Sequence, residues 1–138
     1  MTRIDFIALL LFSSFCGTIN AGKLPNDIRW VTQSKEYASL CKQTYQLAQS
    51  VVIPKLKQAK GNLAIVMDLD ETVLDNSKYQ VERSELNLGF TQESWSAWVK
   101  RKEAELIPGA KEFISKVRPL PIHIIFISNR MNDNLKPT

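Results

Sequence analysis

Asp68 and Asp70 flank a single leucine in the string Asp68-Leu69-Asp70-Glu71-Thr72, directly after the apolar run Leu63-Ala64-Ile65-Val66-Met67. Two carboxylates two residues apart on an extended backbone point to opposite faces. One site can use both only if the chain turns sharply just after Met67. Glu71-Thr72 can begin such a turn. Close carboxylates repel, and they stay ionised together only beside a cation or a donor-rich backbone. A hard divalent cation such as Mg²⁺, bound through oxygen, removes that conflict and screens an incoming phosphate. One carboxylate can then attack phosphorus while the other protonates the leaving oxygen. On these residues alone the pair reads equally as a loop with a helix cap, because acidic side chains are common at strand-to-helix turns.

The elements around the pair decide where it points. Leu63–Met67 is apolar without alternation, as expected of a strand buried on both faces, and Ile122–Ile127 is a second such run ending at Ser128-Asn129-Arg130. Between them, the stretch from Pro108 to Val117 reads as a helix, with Pro at its start and Phe113, Ile114 and Val117 at helical spacing. A helical crossover makes the two strands parallel and brings Asp68 and Ser128 to the same sheet edge, where open α/β sheets bind ligands. Residues from about Trp30 to Ile53 carry a helical period, and Pro54 is expected to end or kink that helix. Two doubly buried parallel strands do not complete a sheet, so the sequence is expected to lack part of its fold.

The string from Ile65 to Tyr79 resembles the first signature of the haloacid-dehalogenase-like (HAD) phosphatases, and Ile124-Ile125-Phe126-Ile127-Ser128-Asn129-Arg130 is similar to the second. The likeness is to the secreted class B and class C acid phosphatases related to lipoprotein e, and it runs from about Trp30 to the end of the chain. Trp95-Ser96-Ala97-Trp98-Val99 and Ile107-Pro108-Gly109-Ala110 also look like features of that family. The resemblance implies an α/β fold: a Rossmannoid parallel sheet with helices on both faces and a small helical cap insert at about 75–107, incomplete in this chain. It implies Asp68 as nucleophile and metal ligand, and Asp70 as the proton carrier whose carbonyl also meets the metal. Ser128 and Asn129 would bind the phosphoryl group, with Asn76 and Tyr79 as further substrate-binding residues and Mg²⁺ as cofactor. The later Lys and acidic pair that this family needs do not occur here, and Asp133 and Lys136 follow Ser128 too closely to replace them. The implied activity is hydrolysis of phosphate monoesters, nucleoside monophosphates included, by a phosphomonoesterase of 5′-nucleotidase type. The chain as given is expected to show no turnover by itself. The alternative is a non-catalytic relative on the same scaffold, either truncated or serving storage or binding.

Several weaker signals have plain structural readings. Trp95 and Trp98, at i, i+3 spacing, read as core of a cap helix or as platforms for a nucleobase. His123, inside a strand, reads as a structural histidine. Arg130 is open between attracting phosphate and tying down its loop.

The 138 residues hold 44% hydrophobic and 23% charged side chains and a net charge of +4, values of one globular domain. The Lys and Arg residues are dispersed, so a nucleic-acid polymer is not an expected partner; a small anionic phosphate ester is. Arg3, the run Phe6–Phe12 and the small residues at Ala21-Gly22 read as an export signal over residues 1–21, which predicts a periplasmic or secreted protein. Lipidation at Cys16, the one route to a membrane here, is disfavoured by the bulky Phe15 before it. Removal of the signal leaves Cys41 alone, so no internal disulfide is expected, and its apolar helical setting reads as a small buried hydrophobe.

Overall fold

The computed structural model describes residues 24–58 and 60–138; the expected export signal and Cys16 lie outside the described residues. The N-terminal helical period divides at Ser34 into α1 (Asn26–Gln33) and α2 (Lys35–Gln58). Ser34 is extended, and its Oγ accepts the Tyr37 amide at 3.0 Å, so it closes one helix and caps the next. Helix α2 continues through Pro54 for another turn, so the proline does not end it.

The remaining elements alternate. Strand β1 (Leu63–Asp68) leads through a tight loop to the two-residue strand β2 (Leu74–Asp75), then to α3 (Ser77–Glu85) and α4 (Gln92–Arg101). Strand β3 (Glu105–Leu106), helix α5 (Ala110–Val117) and strand β4 (Ile122–Ile127) follow, and a 3-10 turn covers Asn132–Asn134. β1 and β4 pair in parallel from Leu63↔Ile122 to Asp68↔Ile127, so the strand that ends at Asp68 and the strand that leads to Ser128 finish level. That is the α/β arrangement expected of the crossover. β2 pairs antiparallel with β3, and the Ile107 amide adds a 3.0 Å bond to the Val73 carbonyl, which pins both ends of the insert carrying α3 and α4.

The sheet is covered on one face. Met67, Val73, Phe113 and Val117 form its buried core, with Tyr45 and Ala48 of α2 and Ile65, Ile122 and Ile124 of the strands packed around them. Gly109 lets α2 and α5 come this close. Its φ is 96°, and a Cβ there would meet Tyr45 Cβ at 3.1 Å and Lys42 Cα at 3.2 Å. The opposite face is bare among the described residues: Val66 is 57% exposed and Ile127 58%. The unbroken apolar runs therefore exceed the cover present here, because α2 and α5 lie on one side only. His123 shares the open face and is exposed, in contrast to the structural histidine expected of a doubly buried strand.

A second cluster builds the insert. Tyr79, Trp98 and Val99 are buried against Trp95 and Ala104. Helix α4 begins with a capping box between Thr91 and Ser94 and ends at Lys102 in the left-handed region. Its outer face is held by Arg101, which makes a two-pronged bridge to Glu82 at 2.6 and 2.7 Å and reaches Glu103 at 2.7 Å. Cys41 is a half-buried free thiol.

Candidate active site

The loop after β1 turns as sharply as the paired carboxylates require. The amides of Val73 and Leu74 both donate to the Leu69 carbonyl at 2.8 Å, and the Glu71 amide donates back to Leu74 at 2.8 Å. This closure puts Glu71 at φ 57°, a left-handed conformation that few residues other than glycine adopt. Tyr45 supports the loop from α2, its hydroxyl donating to the Thr72 carbonyl at 2.5 Å. Asp68 and Asp70 consequently line one cleft of about 620 Å³, shared with Ser128 and Asn129 from the end of β4. The crossover and the turn together assemble what the sequence leaves 58 residues apart.

The two carboxylates differ in their surroundings. Asp68 is exposed, and one of its oxygens accepts the Thr72 hydroxyl at 3.3 Å. Asp70 is enclosed. Its Oδ1 accepts Asn76 Nδ2 at 2.9 Å and Arg130 Nη2 at 2.5 Å, and its Oδ2 accepts Arg130 Nε at 3.0 Å and the Ser128 hydroxyl at 3.4 Å. Burial pushes the Asp70 carboxyl up, but the hydrogen bonds from Arg130, Asn76 and Ser128, with the guanidinium charge, outweigh it and hold the group below the usual carboxylate range. Exposure suits a nucleophile that must meet an incoming phosphate. A gripped carboxylate suits a group that must keep one orientation.

Arg130 is the residue the sequence left undecided. Its side chain is 6% exposed, it forks onto Asp70, and its guanidinium carbon lies 5.6 Å from the centre of the Trp95 ring. Its amide donates to Ser128 Oγ at 3.1 Å, so Ser128 bonds within its own loop and across to Asp70. Asn129 is exposed on the cleft wall.

Asn76 and Tyr79 stand differently from each other. Asn76 is 1% exposed and does not line the cleft: Nδ2 donates to Asp70 and to Glu71 Oε1 at 3.1 Å, and Oδ1 accepts the Trp98 indole at 2.9 Å. It holds the first position before α3 yet makes no side-chain cap, a task passed to Asp75, whose Oδ1 takes the Ser77 amide at 2.8 Å. Tyr79 lines the cleft, while its hydroxyl bonds Ser94 Oγ at 2.8 Å and its ring meets Trp95 edge-on. Phe90 continues this aromatic wall, a contribution not foreseen from the sequence.

The donor set for a divalent cation is all oxygen. Among the described residues the exposed Asp68 carboxylate keeps one oxygen without a partner, and the Asp70 carboxylate is taken, which leaves its carbonyl. These fit two positions of a hard cation's shell. Among the described residues no cluster of three or more His, Cys, Asp or Glu side chains forms a cage.

Comparison with known proteins bears on the fold. The crystal structure of the class C acid phosphatase from Bacillus anthracis with tungstate bound is 34% identical, with a TM-score of 0.76 over 80% of this chain and 47% of that one. The structure of the class C acid phosphatase from Bacillus anthracis gives 33% identity and a TM-score of 0.75 over the same shares. The chain thus spans about half the length of those proteins. Residues 20–138 match the sequence profile of the HAD superfamily, subfamily IIIB (acid phosphatase), and the chain belongs to that family.

Proposed function

We propose that these residues form the nucleophile half of a phosphomonoesterase that works through a phospho-aspartate. The observation that carries this reading is the level ending of parallel β1 and β4, which gathers Asp68, Asp70 and Ser128 in one cleft. In the first step an Asp68 oxygen attacks phosphorus and the ester P–O bond breaks. Asp70 gives its proton to the leaving oxygen. In the second, Asp70 takes a proton from water as that water attacks the phosphoryl group and frees Asp68. Ser128 Oγ and the amides near Asn129 offer donors to the phosphoryl oxygens, where one well-aimed donor is worth roughly 3–4 kcal/mol in the transition state.

A divalent cation, which we take to be Mg²⁺, would be held by the Asp68 carboxylate and the Asp70 carbonyl, and when bound it would supply charge screening between Asp68 and the phosphate. Asn76 acts behind the carboxylates. Tyr79, Trp95 and Phe90 provide a wall on which a flat leaving group can stack, which favours nucleoside monophosphates among phosphate esters. The insert over 75–107 serves as the cap that carries this wall. Residues 1–21 direct export, which the N-terminal sequence of secreted or periplasmic protein checks.

The activity is tested with p-nitrophenyl phosphate and Mg²⁺ on an active preparation carrying these residues. Asp68→Asn is expected to lower kcat by on the order of 10⁴-fold or more, and Asp70→Asn by roughly 10²–10⁴-fold. Chelation should abolish turnover and Mg²⁺ restore it. Full activity in Asp68→Asn would overturn the assignment.

A further inference from the structure

Asp70 is gripped from two sides, and both grips lead back to one face of α4. Trp95 and Trp98 stand three residues apart on that helix, so they share a face. From Trp98, the indole Nε1 donates to Asn76 Oδ1 at 2.9 Å, and Asn76 Nδ2 donates to Asp70 Oδ1 at 2.9 Å. From Trp95, the ring supports the Arg130 guanidinium at 5.6 Å, and Arg130 forks onto both Asp70 oxygens.

Each link fixes the next by its chemistry. An indole N–H is a donor only, so Trp98 forces the amide oxygen of Asn76 toward itself and the NH₂ group toward the carboxylate. A flipped amide would set two oxygens against each other. A guanidinium is a planar fork, and two bonds to one carboxylate fix the plane of that carboxylate as well as its place. Asn76 and Trp98 are 1% and 2% exposed, so water does not compete for these bonds.

We propose that α4 sets the orientation of Asp70 through two relays, Trp98–Asn76 and Trp95–Arg130, which makes Asn76 and Arg130 positioning residues for phosphoryl transfer. Trp95 also lines the cleft, so a bound leaving group and Asp70 bear on the same indole. The inference rests on the reading of Asp70 as the proton carrier.

The chain contains three tryptophans, so its indole N–H region holds three ¹H–¹⁵N signals, assigned by replacing each with Phe in turn. Asp70→Asn removes the charge at the end of both relays. The signals of Trp95 and Trp98 are expected to shift, and that of Trp30 in α1 to stay. In an Asn76→Ala background, Asp70→Asn should no longer move Trp98 yet still move Trp95; in an Arg130→Gln background the pattern should reverse. Indoles that ignore Asp70→Asn, or a Trp98 shift that survives Asn76→Ala, overturn the relays. Should Asn76→Ala fail to fold, Trp98→Phe keeps an aromatic ring at that place and removes the indole N–H that holds the amide. The side-chain NH₂ pair of Asn76 should then shift and exchange faster, and an unchanged pair overturns the proposal. These spectra need no turnover. Silent indoles in a protein with Asp68-dependent hydrolysis remove the relays and leave the reaction, whereas coupled indoles without such hydrolysis do the opposite.

Discussion

The two buried clusters of this protein are built from different materials. Beneath the sheet, Met67, Val73, Phe113 and Val117 are wholly apolar, and they fix where β1 ends by packing alone. In the insert, Tyr79 and Trp98 each carry a polar head, and both heads are paired, on Ser94 and on Asn76. The first cluster places the carboxylates; the second reaches into what they do. A protein that separates these tasks can vary its core by volume, but can vary its insert only by keeping donors matched to acceptors.

Substitutions can break or sharpen that contrast. The largest effect is expected from Phe113→Ala, a loss of about 3–5 kcal/mol in urea denaturation through lost burial and a cavity. Trp98→Phe keeps an aromatic ring but strands the Asn76 oxygen in a dry site, which should cost about 1–3 kcal/mol. A neutral result there would mean that the insert packs like the lower core. Gly109→Ala should follow closely, at about 1–2 kcal/mol for the left-handed backbone alone. Tyr45→Phe removes only the bond to the Thr72 carbonyl, and about 0.5–1.5 kcal/mol should show in the denaturation midpoint.

The smallest effect concerns pH. Hydrogen bonds from Arg101 and Lys78 hold the Glu103 carboxyl down at about 2, below its ordinary 4.5. A depressed carboxyl contributes stability above its unfolded value, and this is lost as pH falls from about 4.5 through 2. The pair is solvent-exposed, so salt should weaken it. Glu103→Gln should therefore lower stability slightly near neutrality, flatten the acid limb of the curve, and make no difference near pH 2, where the wild-type carboxyl is itself being protonated.

The fold was legible where pattern and connectivity rules act. Two apolar runs joined by a helix sufficed to put Asp68 and Ser128 on one edge, because parallel strands must be crossed over and end together. The break at Ser34 was hidden because apolar period continues across it, and only the cap bond to Tyr37 marks the division. The one-sided cover of the sheet was equally hidden: an apolar run reports that a face can be buried, not what buries it. Within the site, the turn that unites Asp68 and Asp70 was foreseeable from their spacing. The partner of Arg130 was not, since it lies 60 residues away and depends on side-chain direction. Its place two residues after Ser128 was the one available signal. Asn76 was read toward substrate because it belongs to the string that resembles the family's first signature, yet the indole of Trp98, 22 residues on, draws it into the interior.

The central claim is that Asp68 carries the phosphoryl group. An active preparation is mixed with p-nitrophenyl phosphate, quenched in acid and reduced with borohydride, which converts an aspartyl phosphate to homoserine. Peptide mass analysis is predicted to place that change at residue 68 and to find none in Asp68→Asn. Turnover with unmodified Asp68, or with the label at Asp70, would contradict the account.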